Sequence, residues 1–318
     1  MGHPIDISIV IVTYKSKEYI IRCLESIRES AQGLTTEIII VDNASGDGLG
    51  EFLHTEFPEV ILIENEKNEG FARGVNHGAK RASGRYLYIL NPDTQLYPDT
   101  VKIMLDFIEK HPTCCLLGPR TVDQTGRTLP NCRSLPHITN LIKYPILFLL
   151  QNRRLKKPRR YLLDIWGQNE TINVTKYNGY ITGASILTRL DFFKEMGMLD
   201  EQYFLCSEDC DFGLRITRSG FHSFFVAEAS LVHYEGSSAS KNPRSRLYSV
   251  DAYVRYIHKN FAFLHGLVYK TCFFLLVLSW TVGRFLRSKG HEAPILLQSL
   301  MCFVPYWLGG PPRLPEHS

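Results

Sequence analysis

The chain has 318 residues, 44% of them hydrophobic and 21% charged, with a formal net charge of +4. That length holds one large domain or two of ordinary size, and the apolar fraction excludes a disordered chain. The near-balanced charge argues against a dedicated nucleic-acid binder, and eight cysteines without a CxxC pair suggest neither a zinc site nor a disulfide framework, which fits a reducing compartment.

The chain opens as MGHPIDISIV, without a basic n-region or cleavage pattern, so no secretory signal is expected. Residues 7–12 form an apolar run rich in Ile and Val, and similar runs recur at 37–41, 60–63 and 86–90; each reads as a buried strand. Between them lie an amphipathic helical pattern carrying Ile20, Ile21, Leu24 and Ile27, and a segment at 70–82 rich in small residues. Strands alternating with helices predict βαβ units and an α/β fold with a mostly parallel sheet covered on both faces. Ligands of such sheets bind beyond the carboxyl ends of the strands. A helix is expected over 99–109 and a strand over 114–117, followed by a polar, proline-containing stretch from 119 to 136, with regularity returning at Tyr177.

Two segments stand apart from this alternation. Arg153, Arg154, Lys156, Lys157, Arg159 and Arg160 follow an apolar stretch at 144–150; the segment at 141–160 reads as a surface loop or a helix on the core, with a membrane-surface contact as the alternative, and the cluster implies a partner of negative sign. Residues 271–283 carry no charge between Lys270 and Arg284, yet a spanning helix needs about 20 apolar residues. An interfacial or partner-facing helix is the favoured reading, ahead of a core helix.

The chemistry gathers at strand ends. A carboxylate directly after a buried strand needs water, a cation or donors around it, so Asp42 and Asp93 call for an explanation. Asp42, followed by Asn43, either caps the next turn or accepts a hydrogen bond from a base or a ribose, with Thr13 at the first strand's end completing the same pocket. Asn91-Pro92-Asp93-Thr94 follows the fourth strand, where Asp93 suits a hard divalent ion that also takes substrate phosphate oxygens, or else serves as a turn residue. Asn68, Gly70 and Arg73 open a helix whose backbone and guanidinium suit phosphate, although helix–sheet packing also explains its small residues. Glu208, Asp209 and Asp211 precede an amphipathic pattern starting at Phe212; three acids exceed what capping needs, and one of them suits a general base. His233 ends a short apolar strand as a structural residue or a metal ligand.

Taken in order, the segments SIVIVTYKS, IIIVDNASGDG, NEGFARGVNHGA, YLYILNPDT, YITGASILTR, FLCSEDCDFGLR and VHYEGSS resemble the family 2 glycosyltransferases with the GT-A fold, in particular the rhamnosyltransferase-like members. The likeness spans about residues 7–260. It implies a catalytic, nucleotide-sugar-binding domain at 1–260 with an apolar, helical, membrane-associating extension at 261–318. By this resemblance Thr13, Tyr14, Asp42, Asn68, Gly70, Arg73 and Asn91 line the nucleotide site, Asp93 and His233 hold Mg²⁺ or Mn²⁺, Asp209 of the Glu208-Asp209 pair is the base, and Gly183 and Ala184 lie on the acceptor side. Where many relatives carry two carboxylates in an Asp-x-Asp motif, this chain reads Asn91-Pro92-Asp93. The implied reaction is inverting transfer of a sugar, L-rhamnose from a dTDP donor, to a hydroxyl of a glycan or lipid-linked saccharide for cell-surface polysaccharide. It would run at the cytoplasmic face of the membrane, in a protein able to form a homo-oligomer. Two other readings stand beside it, a metal-dependent nucleotide-sugar hydrolase and a non-catalytic sugar-nucleotide-binding subunit. A dinucleotide oxidoreductase, the obvious α/β rival, is disfavoured because no GxGxxG follows the first strand.

Overall fold

The computed structural model describes residues 5–136, 170–234 and 245–262, with 267, 268, 271 and 278. The basic cluster at 153–160 and nearly all of the 261–318 extension lie outside the described residues. The chain divides into two compact units, one of 1–135, 163–204 and 208–241 and the other of 136–162, 205–207 and 242–318. In the second, the described part is chiefly a helix over Ser245–Asn260, steadied by an ion pair between Arg255 and Asp251 at 2.8 Å.

The first unit holds the sheet. In chain order its elements are β1 (Ile7–Thr13), α1 (Lys17–Ser30), β2 (Thr36–Asp42), α2 (Leu49–Glu56), β3 (Ile61–Glu64), α3 (Phe71–Arg81), β4 (Tyr86–Leu90), β5 (Thr94–Leu96), α4 (Thr100–Lys110) and β6 (Cys114–Val122). After them come β7 (Thr128–Leu129), β8 (Cys132–Ser134), β9 (Ile172–Asn173), β10 (Gly179–Ile181), β11 (Ser185–Arg189), α5 (Leu190–Glu195), α6 (Glu208–Arg218) and β12 (His222–His233). The main sheet runs β3-β2-β1-β4-β11-β6-β12-β5. Neighbours pair in parallel except around β11 and β5.

The all-apolar strand runs arise because both sheet faces are covered. Ile7, Ile9 and Ile11 of β1 face a layer with Ile20, Leu24 and Ile27 of α1 and Met104 of α4. Val10 and Val12 face the other way, toward Val75 and Ala79 of α3, with Phe193 and Phe212 in the same layer. Gly74 and Gly78 explain the small-residue helix: a Cβ at either would come within 2.7 Å and 2.4 Å of methyls of Val12 and Val10. At these two positions the packing explanation holds.

The local readings differ from the structure in three places. The helix carrying the acidic segment begins at Glu208 rather than Phe212, so the acids occupy its first turn, where the helix dipole favours them. Regular structure returns at β9, before Tyr177. The polar stretch is also more ordered than its composition suggests, because β6 continues to Val122 and β8 pairs with β10.

Sheet order sets which strand ends lie side by side. From β1 the chain steps outward to β2 and β3, then returns to the opposite side of β1 as β4. The carboxyl ends of β1 and β4 flank the point of reversal, which is where a crevice opens in folds of this kind. Thr13, Asp42 and the Asn91–Asp93 turn all lie at that end.

Candidate active site

At the β1 end, Thr13 is buried and its hydroxyl has no hydrogen-bond partner, an orphaned polar atom that a ligand group would satisfy. Its carbonyl accepts the Asn43 N–H at 3.0 Å. Asp42, also buried, accepts the Ser45 N–H at 3.1 Å and the Ser45 hydroxyl. The capping role is therefore present in the geometry, and each carboxylate oxygen keeps a further lone pair for a ligand. Ser45 also accepts the Lys15 N–H at 2.8 Å, which staples the loops after β1 and β2 together. Tyr14 stands exposed, with the Lys15 ammonium 5.3 Å from its ring centre.

The start of α3 is more occupied than its sequence suggests. The Gly70 N–H goes to the Asn68 side chain at 3.0 Å and the Phe71 N–H to the Phe204 carbonyl at 2.7 Å. Gly70 takes φ +88°, and a Cβ there would sit 2.4 Å from that carbonyl oxygen, so the position admits only glycine. Arg73 lies 3.5 Å from Glu201, which Lys80 also approaches at 3.7 Å. Its guanidinium is thus engaged by a carboxylate in this structure.

Asp93 and His233 come together from distant parts of the chain. Antiparallel pairing of β12 with β5 sets His233 opposite Thr94, leaving His233 Nε2 3.2 Å from Asp93 Oδ1, both largely buried. Tyr234 N–H donates to the Asp93 carbonyl at 2.9 Å, fixing the turn. A carboxylate oxygen beside an imidazole nitrogen suits a divalent ion that draws its remaining ligands from a substrate. Among the described residues no group of three or more His, Cys, Asp or Glu side chains is gathered for an ion. Beneath the turn lies Cys23, whose thiol burial pushes up to about 12, with the Asp93 charge adding to the rise; it is a packing group and not a nucleophile.

The Glu208-Asp209 pair meets Gly183 and Ala184. Gly183 N–H donates to Asp209 Oδ2 at 2.8 Å, and Cys210 N–H to Asp209 Oδ1 at 2.7 Å. The next carbonyl, that of Ala184, accepts the Asn91 N–H at 3.0 Å. One bond from the Gly183 backbone to the Asp209 carboxylate and one between the Asn91 and Ala184 backbones therefore tie Asp209 to the turn that carries Asp93. Just before Glu208, Cys206 and Ser207 both take positive φ, a strained backbone of the sort that clusters at functional sites.

Burial raises the pKa of both acids, but their surroundings divide them. Glu208 is buried, with Oε2 lacking any partner; burial first, and then the charge of Asp209, push it up to about 8. Asp209 is raised by burial and drawn back by the Gly183 and Cys210 N–H groups and by the positive charge of Arg133. The hydrogen bonds from Gly183 and Cys210 and the nearby cation favour the ionised form of Asp209, which makes it the better candidate for a base. Glu208 keeps its proton to about pH 8 in the fold against an ordinary value of 4.5. Its contribution to stability is accordingly full below pH 4.5 and lost as pH rises through 8, at most about 1.4 kcal/mol per pH unit. Wild type should therefore lose more melting temperature between pH 6 and pH 9 than Glu208→Gln; parallel curves would show that Glu208 is ionised in the fold at neutral pH.

Three contributors escaped the sequence reading. Ser45 had a local signal, standing three residues after Asp42 as a turn partner. Arg133 had none, because its approach to Asp209 depends on the β8–β10 pairing, and neither had His77, which is taken up below.

A sheet of this order, with its paired carboxylates and a His–Asp site at the strand ends, defines an α/β transferase of the GT-A class, and comparison with known proteins supports this. The profile of "Glycosyl transferase family 2" matches residues 8–185, more than half of the chain, and the chain belongs to that family. It is a glycosyltransferase. Among curated proteins it is 25% identical over 250 residues to the N-acetylglucosaminyl-diphospho-decaprenol L-rhamnosyltransferase of Mycobacterium tuberculosis, covering 75% of this chain and 79% of the relative. The low-salt glycan biosynthesis hexosyltransferase Agl10 of Haloferax volcanii is 22% identical over 303 residues, 93% of this chain and 90% of the relative. Among solved structures, S. aureus TarS 1-349 in complex with UDP-GlcNAc superposes with a TM-score of 0.57 at 18% identity, over 94% of this chain and 81% of that one. The mannosyltransferase PcManGT from Pyrobaculum calidifontis, in complex with GDP-Man and Mn²⁺, gives 0.53 at 16% identity, over 98% and 77%. Among the described residues no helix is long and apolar enough to cross a membrane.

Proposed function

We propose that residues 1–260 catalyse inverting transfer of a sugar, L-rhamnose from a dTDP donor, to a hydroxyl of a glycan or lipid-linked saccharide. The observation that carries this reading is the backbone link Asp209–Gly183–Ala184–Asn91, which ties a candidate base to the Asp93–His233 pair. Thr13 and Asp42 receive the nucleoside, and Asn91 steadies the turn beside it. Asp209 takes the proton of the acceptor hydroxyl as its oxygen bonds to the anomeric carbon. The bond from that carbon to the diphosphate breaks on the opposite face, so configuration inverts and the nucleotide diphosphate departs. Asp93 and His233 would hold a Mg²⁺ or Mn²⁺ ion, whose chemistry is to neutralise charge on the diphosphate. The Gly183 N–H aims Asp209 and, with the charge of Arg133, favours its ionised form against burial.

The choice of rhamnose and of a lipid diphosphate acceptor is supported by the name of the mycobacterial relative. Action at the cytoplasmic membrane surface is supported by the basic cluster at 153–160 and the apolar run at 271–283. The test is a screen of nucleotide sugars with purified protein, Mg²⁺ or Mn²⁺ and candidate lipid-linked acceptors, read by mass spectrometry and by NMR of the product anomer. The expected product is a rhamnoside of inverted configuration. Retention would remove the single-displacement mechanism, and equal sugar release with and without acceptor would make the protein a hydrolase.

A further inference from the structure

We infer that His77, outside the nucleotide pocket, is a positioning residue that holds the two pocket loops in register through a directional chain of hydrogen bonds. The chain begins at the Gly70 carbonyl, which accepts from Asn43 Nδ2 at 3.1 Å. It continues from Asn65 Nδ2 to Asn43 Oδ1 at 2.8 Å and ends where His77 Nδ1 meets Asn65 Oδ1 at 3.2 Å.

A carbonyl oxygen can only accept, so Asn43 must present its amide nitrogen to Gly70 and its oxygen to Asn65. The same logic fixes Asn65, which donates to Asn43 and is left with an oxygen facing the imidazole. His77 must therefore carry its proton on Nδ1 and donate. Glu69 lies 3.6 Å from Nε2 on the far side of the ring, bracketing the imidazole in this orientation.

The two members at the Gly70 end belong to the pocket. Asn43 follows Asp42 directly, and its N–H is held by the Thr13 carbonyl. Gly70 opens α3 in a conformation only glycine adopts, with the Phe204 carbonyl against it. His77 thus sets the separation of the Asp42 loop from the Gly70 loop without touching the nucleotide. The inference rests on the nucleotide-sugar reading given above.

The test is titration calorimetry of the full chain with UDP and with dTDP in the presence of Mn²⁺, on wild type, His77→Leu and His77→Asn. Leucine removes the donor and leaves the Asn65 oxygen unpaired, whereas an asparagine amide nitrogen can stand where Nδ1 stood. His77→Leu should weaken binding by roughly three- to tenfold, the scale of one lost hydrogen bond, and His77→Asn should restore it to within about twofold of wild type. A third of the His77 side chain is exposed, and matched melting temperatures will show that both variants fold. Should leucine destabilise the fold, Asn65→Asp, which cannot donate to Asn43, interrupts the same chain one step further in and is expected to weaken binding likewise. Unchanged affinity in the leucine variant, or equal loss in the leucine and asparagine variants, would overturn the inference. Binding of neither nucleotide by wild type would overturn the donor reading itself, and the inference with it.

Discussion

Asp209→Asn is expected to lower the rate of sugar transfer by roughly 10²- to 10⁴-fold, the usual contribution of a positioned general base, while nucleotide diphosphate affinity stays within about twofold of wild type. Asparagine has the shape of aspartate and can still accept the Gly183 N–H now received at 2.8 Å, so the loop at 183–184 should hold its place. What is lost is the capacity to take a proton. The separation of kcat from binding is the informative part, because a variant that merely disturbed the fold would lose both. Burial, the first cause of the raised Glu208 pKa, persists in the variant and disfavours Glu208 as a substitute base. Full activity in Asp209→Asn would transfer the role of base to another group.

Asp93→Asn is the second large effect. Removing the charged member of a two-residue site should weaken Mn²⁺-dependent binding of dTDP or UDP at least about tenfold, since even indirect partners of a metal cost that much. In EDTA, wild type and variant should bind alike. Equal affinity with metal present would mean that Asp93 serves only its turn, whose backbone is held independently by the Tyr234 N–H. Calorimetry with and without Mn²⁺ separates the two outcomes.

How much of this was legible beforehand depended on how local each feature is. Strand runs such as YLYIL at β4 matched the observed element because all five residues are buried, and burial on both faces leaves an unbroken apolar signature. The carboxylates at 42 and 93 stood out for the same reason, as charges adjoining such a run. Arg73 read as a phosphate contact because a cation at a helix start has that local meaning; its pairing with Glu201 comes from a segment far along the chain. The two strands flanking the loop at 182–184, β10 and β11, are short and hold three and five residues, too few for periodicity to separate strand from turn.

The amino-acid sequence by itself determined the α/β class, the main strands and the residue types gathered at their ends, because hydrophobic period and turn chemistry act over a few neighbours. Only the tertiary structure decided which of those ends meet. The return of β4 beside β1 set Thr13, Asp42 and Asp93 at one end of the sheet, and the β12–β5 register delivered His233 to Asp93. It also gave two adjacent acids different surroundings. Burial raises both, and of the groups that draw Asp209 back, Gly183 and Arg133 lie far from it along the chain and reach it only through the fold.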